Sequence, residues 1–93
     1  MNPILVVDDN AQIVDILSQY IKKEGWPMLA AKTGEEALAL FDAAEPSLIL
    51  LDIMLPGLDG LEVCRRIRCV SSVPILMITA KDEDADRILG LDI

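Results

Sequence analysis

The feature that most constrains the fold is a set of short apolar runs in which polar and apolar residues do not alternate. These runs are Ile4–Val7, Leu48–Leu51 and Val73–Ile78, with a weaker one at Met28–Ala31. A short continuous apolar run between turn residues is typical of a parallel strand that is covered on both faces. The sequence therefore predicts four strands of a buried parallel sheet.

Between these runs, apolar residues recur with the period of an α-helix. Gly25 is placed to end the first helical segment, Thr33 and Glu36 form a capping box ahead of the second, and a fourth helix is expected to begin near Asp82. Strands that alternate with helices predict right-handed βαβ units, so we expect one α/β domain over residues 1–93, with helices on both faces of the sheet. The stripes of the first three segments are Ile13, Ile16, Leu17, Tyr20 and Ile21; Ala37, Leu40, Phe41 and Ala44; and Gly60, Val63, Cys64 and Ile67.

Composition narrows the classes of function. The chain has a formal net charge of −8 and contains no histidine. The acidic surplus disfavours direct binding to nucleic acid or to an anionic membrane, and the lack of histidine excludes a histidine-based triad or metal site in this chain. No stretch approaches the ~20 apolar residues of a membrane span, and the N-terminus lacks a signal-peptide pattern. We therefore expect a soluble cytoplasmic protein.

Chemically active side chains follow the predicted strands. Asp8 and Asp9 follow the first strand, Asp52 ends the third, and Thr79 follows the fourth. Because ligands of open parallel sheets bind where the strands end, these groups are expected to meet. Carboxylates ~4 Å apart repel each other by up to roughly 4 kcal/mol per pair, so either one carboxyl stays protonated or a divalent cation binds. Oxygen ligands without histidine or cysteine favour Mg²⁺.

Each of these residues also has a purely structural interpretation. Asp9, which is followed by Asn10, is a candidate helix cap; Asp52 is a candidate turn residue; and Thr79 is a candidate ordinary strand threonine. Their coincidence at three separate strand ends favours a functional site over three independent structural roles.

Three segments resemble the receiver domains of response regulators in two-component signalling. Residues Ile4–Asn10 resemble the strand with the acidic pair, Leu50–Gly60 the phosphoacceptor strand and its following loop, and Val73–Lys81 the switch strand. The sequence is most similar to receivers that precede winged-helix DNA-binding domains. The resemblance implies a flavodoxin-like doubly wound parallel sheet, for which a receiver is one of the known examples of the strand order 2-1-3-4-5.

The resemblance also implies roles for individual residues. Asp52 would accept a phosphoryl group, and Asp9, Asp52 and the backbone carbonyl of Met54 would bind Mg²⁺, with Asp8 helping mainly through water. Thr79 would hydrogen-bond the phosphoryl group and switch the conformation. The expected partner is a sensor histidine kinase, and the regulated output is expected to be transcription. Such a protein catalyses its own phosphorylation and dephosphorylation but is not a turnover enzyme.

The chain departs from this family at its end. The family pattern continues into a fifth strand and helix, whereas this sequence stops at Ile93. We therefore expect the strand order 2-1-3-4, with the fifth strand and helix absent. The outer edge of the fourth strand would then be open, which predicts a homodimer or a strand-paired oligomer through that strand.

Other functions remain open on sequence grounds. A degenerate or fragmentary receiver would act only as an interaction module, although the complete acidic triad argues against this. A haloacid-dehalogenase-like phosphatase would need a second aspartate at position 54, which is Met54. An FMN-binding flavodoxin-like module would place the flavin phosphate beside Asp8 and Asp9, which would repel it unless a metal intervened.

Overall fold

The computed structural model describes residues 2–78 and 91–92 of the chain. Within these residues, the four predicted strands and the first three predicted helices are confirmed, whereas the helix expected near Asp82 lies outside the described residues. The strands are β1 (Ile4–Val7), β2 (Met28–Ala31), β3 (Leu48–Asp52), β4 (Ile75–Ile78) and β5 (Leu91–Asp92), and the helices are α1 (Ala11–Lys23), α2 (Gly34–Ala44) and α3 (Gly60–Arg68).

The strands form one sheet in the order β2-β1-β3-β4-β5. The pairs β1–β2, β1–β3 and β3–β4 are all parallel. The helices that join them make the crossovers that a parallel pair requires. This arrangement confirms the α/β class and the order 2-1-3-4, and it brings the ends of β1 and β3 to the same edge of the sheet.

The edge of β4 differs from the prediction that it would be open. The backbone of β5 pairs with it antiparallel, with Leu91 opposite Met77 and Asp92 opposite Leu76. Open strand edges carry unpaired N–H and C=O groups, and pairing with β5 satisfies some of them. The sheet therefore has a two-residue antiparallel strand at the position where the receiver pattern predicts a longer parallel one.

Alternate residues of the strands fill two separate apolar cores. On one face, Leu5, Ile49, Leu51 and Met77 are fully buried beneath α2 and α3. On the other face, the buried side chains of β1, β3 and β4 pack with α1. Because both faces are covered, the strands need no polar alternation, which explains the continuous apolar runs. The residues of the second core are Ile4, Val6, Ile21, Leu50 and Ile78.

The predicted stripe of α1 is only partly buried. Ile21 is buried, and Leu17 packs against the core, whereas Ile16 and Tyr20 are 53% and 67% exposed. A single helix covers this face of the sheet in the described residues, and its inward stripe is narrower than the apolar pattern. The side of α1 with Ile16 and Tyr20 therefore faces solvent.

The helix ends follow the sequence signals. Gly25 adopts a positive φ of 84° just after α1, a conformation that glycine tolerates best. Thr33 Oγ1 accepts from the backbone N–H of Glu36 over 3.1 Å. The Glu36 carboxylate in turn accepts from the backbone N–H of Lys32, one residue before the expected partner. The conformation of Gly25 confirms where α1 ends, and the two hydrogen bonds confirm where α2 begins.

Trp26 is the single tryptophan of the chain and is 39% exposed. It lies just before β2, where the carbonyl of Pro27 accepts from the backbone N–H of Ile4 at the start of β1. Trp26 therefore lies at the end of the sheet where these strands begin. In the described part of the chain, no helix is long and apolar enough to cross a membrane.

Candidate metal centre

The acidic residues meet where β1 and β3 end. Val7 and Leu51 are register partners on these adjacent strands, so the residues that follow them leave the sheet side by side. One carboxylate oxygen from each of Asp8, Asp9 and Asp52 lies within 4.8 Å of the others. The predicted convergence of these three side chains on one site is therefore present in the structure.

Asp8 is the most buried of the three, with 5% of its surface exposed. Its backbone N–H donates to the carbonyl of Ala31 over 3.0 Å, and its Oδ1 accepts from the backbone N–H of Asn10 over 2.8 Å. Burial raises the pKa of the Asp8 carboxyl to about 6, and the charges of Asp52 and Asp9 act in the same direction, against the hydrogen bond from Asn10. Without a cation, Asp8 therefore holds a proton more tightly than an ordinary aspartate.

Asp52 is half-buried at the end of β3. Burial raises the pKa of its carboxyl, and so does the charge of Asp9; the N–H of Met54 and a hydrogen bond with Asp8 lower it. The backbone N–H of Met54 donates to Oδ1 of Asp52 over 3.0 Å. Asp52 therefore also stabilises the turn after β3, as expected of a turn residue. The net effect is that the Asp52 carboxyl also holds a proton more tightly than an ordinary aspartate.

Asp9 does not cap α1. Asn10 performs that role, because its Oδ1 accepts from the backbone N–H groups of Gln12 and Ile13 over 2.9 and 3.3 Å. The capping interpretation of Asp9 is therefore wrong. The exposed Asp9 carboxylate belongs to the acidic cluster instead. Sequence reasoning missed that Asn10 both caps the helix and bonds Asp8, although an asparagine just before an apolar helix is a recognisable capping signal.

Of the other two predicted site residues, only Met54 belongs to the part of the chain that the structure describes. Met54 follows Asp52 by two residues and is 63% exposed, and its backbone N–H, 3.0 Å from Oδ1 of Asp52, lies beside the cluster. Thr79 lies outside the described residues. Its predecessor Ile78 is the register partner of Asp52, and the carbonyl of Ile78 accepts from the N–H of Ile53 over 3.1 Å.

The donor set fits a hard divalent cation. All three side chains offer carboxylate oxygens, and no histidine or cysteine belongs to the cluster. Mg²⁺ typically takes one or two carboxylates and keeps several waters. The raised pKa values of Asp8 and Asp52 show that the site is electrostatically unfavourable without a counter-charge. A bound cation would supply that charge in place of the proton.

Comparison with known proteins identifies the family of the chain. Residues 4–93 match the response regulator receiver domain family. The BeF₃-activated N-terminal receiver domain of Klebsiella pneumoniae RstA is 33% identical, with a TM-score of 0.81, over 91% of this chain and 73% of that chain. The N-terminal domain of a response regulator receiver protein from Methanoculleus marisnigri JR1 is 39% identical, with a TM-score of 0.81, over 92% and 75% of the two chains.

A third solved structure is response regulator TrrA from Thermotoga maritima in complex with Mg²⁺ and BeF. It is 40% identical, with a TM-score of 0.81, over 88% of this chain and 72% of that chain. The chain therefore belongs to the response regulator receiver domain family. That family consists of phosphoryl-accepting signalling modules, which sets aside the phosphatase and flavin-binding alternatives.

Proposed function

We propose that this protein is a Mg²⁺-dependent switch that takes a phosphoryl group from a sensor histidine kinase onto Asp52. The observation that carries the proposal is the meeting of the Asp8, Asp9 and Asp52 carboxylates, within 4.8 Å of one another, where parallel strands end. Family membership of residues 4–93 supports the same function.

The residues that would hold the cation are the carboxylates of Asp9 and Asp52 and the backbone carbonyl of Met54, with Asp8 acting mainly through a water molecule. When bound, Mg²⁺ supplies positive charge that neutralises the equatorial oxygens of the transferring phosphoryl group. The N–H of Met54, 3.0 Å from Oδ1 of Asp52, fixes the orientation of that carboxylate.

The Asp52 carboxylate would act as the nucleophile. Its oxygen forms the bond to phosphorus while the bond from phosphorus to the donor nitrogen of a phosphohistidine breaks, and the electron pair stays on that nitrogen. Hydrolysis of the resulting acyl phosphate returns the carboxylate. The hydrogen bond from Asp8 opposes the rise that burial causes in the pKa of Asp52, and a bound cation would favour the ionised form that the attack requires. Phosphorylation and reset occur on the chain itself, so it is not a turnover enzyme.

The downstream part of the proposal concerns Thr79 and the partners. Thr79 would hydrogen-bond the phosphoryl group, whose −2 charge biases the loops near β4 and thereby regulates an output, expected to be transcription. We expect no direct nucleic-acid contact, because the chain carries a net charge of −8. Association of copies through β4 stays a prediction, and in the structure it would compete with β5 for the same edge.

The test is a mass measurement after exposure to a small-molecule phosphodonor. The native chain should gain one phosphoryl group when Mg²⁺ is present and none when it is chelated. Asp52→Asn should gain none under either condition, because an amide is not a nucleophile toward phosphorus. Asp59→Asn is the matched control, since Asp59 caps α3, and it should label like the native chain. Equal labelling of native chain and Asp52→Asn would remove Asp52 from this role, and no labelling of either would leave an interaction module as the better interpretation.

A further inference from the structure

The loop that would supply the Met54 carbonyl is closed at its far end by Gly60. Gly60 is the first residue of α3 and is buried. Its backbone N–H donates to the carbonyl of Ile53 over 3.1 Å. The start of α3 therefore rests on the backbone immediately after Asp52, and residues 53–59 are held between these two points.

Gly60 lies so close to the end of β3 that no side chain fits there. A Cβ atom at this position would overlap the carbonyl oxygen of Asp52. It would also lie 2.8 Å from Cα of Ile53 and 2.9 Å from the carbonyl carbon of Asp52. All three are backbone atoms, which cannot rotate aside as a side-chain tip can. A methyl group at residue 60 must therefore move the Asp52–Ile53 peptide or the start of α3.

We propose that Gly60 is a positioning residue for the metal centre; this inference rests on the proposed function. The close contact of α3 with the Asp52–Ile53 peptide sets the position of the Asp52 carboxylate. Because Oδ1 of that carboxylate accepts from the N–H of Met54, the same contact sets the position of the Met54 peptide. Metal ligands have to be held within about 0.5 Å of their productive geometry, so a displaced peptide weakens Mg²⁺ binding.

Gly34, the first residue of α2, provides a matched control. A Cβ atom at this position would lie 2.5 Å from the carbonyl oxygen of Leu58 and 2.7 Å from Cγ2 of Val63. Gly34→Ala therefore also forces packed atoms apart, but it meets the loop at Leu58 and not at Asp52. Both variants should lose stability, whereas only Gly60→Ala should lose affinity for Mg²⁺ beyond that loss.

The experiment is a Mg²⁺ titration of the native chain, Gly60→Ala and Gly34→Ala, in which the NMR shifts of the backbone amides report binding. Urea unfolding with a chelator present reports the stability of each variant. We expect the Kd for Mg²⁺ to rise at least tenfold in Gly60→Ala, in the range of about 10–100-fold seen when groups that orient metal ligands are changed. We expect a rise of less than about threefold in Gly34→Ala, where the added methyl group does not meet the Asp52–Ile53 peptide. Native-like affinity in Gly60→Ala, or equal losses in both variants, would overturn the proposal.

Two further outcomes separate this inference from the proposed function. If the native chain shows no saturable Mg²⁺ binding, the proposed function fails, and the positioning role fails with it. If Gly60→Ala does not fold, the native chain decides: the amide of Gly60 should shift with the same Mg²⁺ midpoint as that of Met54. A Gly60 amide that does not respond to Mg²⁺ would overturn the positioning role alone.

Discussion

At the scale of single residues, Asp8 carries the largest electrostatic cost of the site. It is 5% exposed, and burial raises the pKa of its carboxyl to about 6. A buried carboxylate is tolerated when a cation or a proton neutralises it. The residue that makes the apo site unfavourable is therefore the one that makes cation binding favourable.

This cost predicts a pH dependence of stability when divalent cations are chelated. Because the pKa of Asp8 is higher in the folded state than in the unfolded state, the folded state binds the proton more tightly. The stability from protonated Asp8 is present at low pH and is lost as the pH rises through about 6. Between pH 5 and 7, the native chain should lose about 1 kcal/mol of unfolding free energy relative to Asp8→Asn.

Urea unfolding of the native chain and Asp8→Asn at pH 5, 6 and 7, with a chelator present, measures this difference. Comparison with Asp8→Asn is needed because it subtracts effects of pH that do not involve Asp8. If the native chain gained stability relative to Asp8→Asn between pH 5 and 7, the assignment of the raised pKa to Asp8 would be wrong.

At the scale of elements, the cap at the start of α2 shows how side-chain hydrogen bonds stabilise a helix. Thr33 caps α2 through Oγ1, and Glu36 returns a hydrogen bond to Lys32. Loss of such a cap costs about 1 kcal/mol. We expect Thr33→Ala to lose about that much unfolding free energy and Thr33→Ser, which keeps the hydroxyl, to lose less than half of it. Urea unfolding of the three proteins gives the values, and equal losses in both variants would show that the methyl group of Thr33, not its hydroxyl, stabilises the helix.

The sequence predicted most elements for two reasons. Both faces of the sheet are covered, which makes each strand a continuous apolar run, and turn residues mark where each run starts and stops. Leu48–Leu51 and Met28–Ala31 could be identified from hydropathy alone, and Asp52 from its place at a strand end. The exposure of Tyr20 could not be predicted, because an apolar stripe does not show how much of its width a neighbour covers. The close contact of Gly60 with the backbone of Asp52 could not be predicted either. Such an approach of two backbone segments depends on how the helix packs on the strand, which the spacing of residues in the sequence does not show.

The pairing of β5 shows a further limit of local sequence patterns. Leu91 and Asp92 form too short a segment to show alternation or a continuous apolar run. Their pairing depends on the exposed edge of β4, which only the assembled sheet creates. A short segment that pairs only through a distant edge therefore has no local sequence signal of its own.

At the scale of the whole molecule, cation binding should raise global stability. Mg²⁺ at ten times its Kd should stabilise the native chain by about 1.4 kcal/mol, which is roughly 5–10 °C in Tm for a domain of this size. Asp9→Ala should abolish the increase, because it removes a predicted ligand. Asp42→Ala, which removes the same charge at an exposed position in α2, should keep the increase.

Thermal melts of the three proteins, with and without Mg²⁺, provide the comparison. A stabilisation of Asp9→Ala equal to that of the native chain would show that Mg²⁺ acts as a general counter-ion to the net charge and not at the acidic cluster. Loss of the effect in both variants would have the same meaning.

Trp26, the main fluorescent group of the protein, lies at the end of the sheet opposite the acidic cluster. The indole lies where β1 and β2 begin, and the carboxylates lie where β1 and β3 finish, so the length of the sheet separates them. Four residues of strand span about 13 Å, beyond direct contact between the two groups. Intrinsic fluorescence of this protein should therefore follow unfolding of the whole domain while staying silent to an ion or a phosphoryl group at the opposite rim.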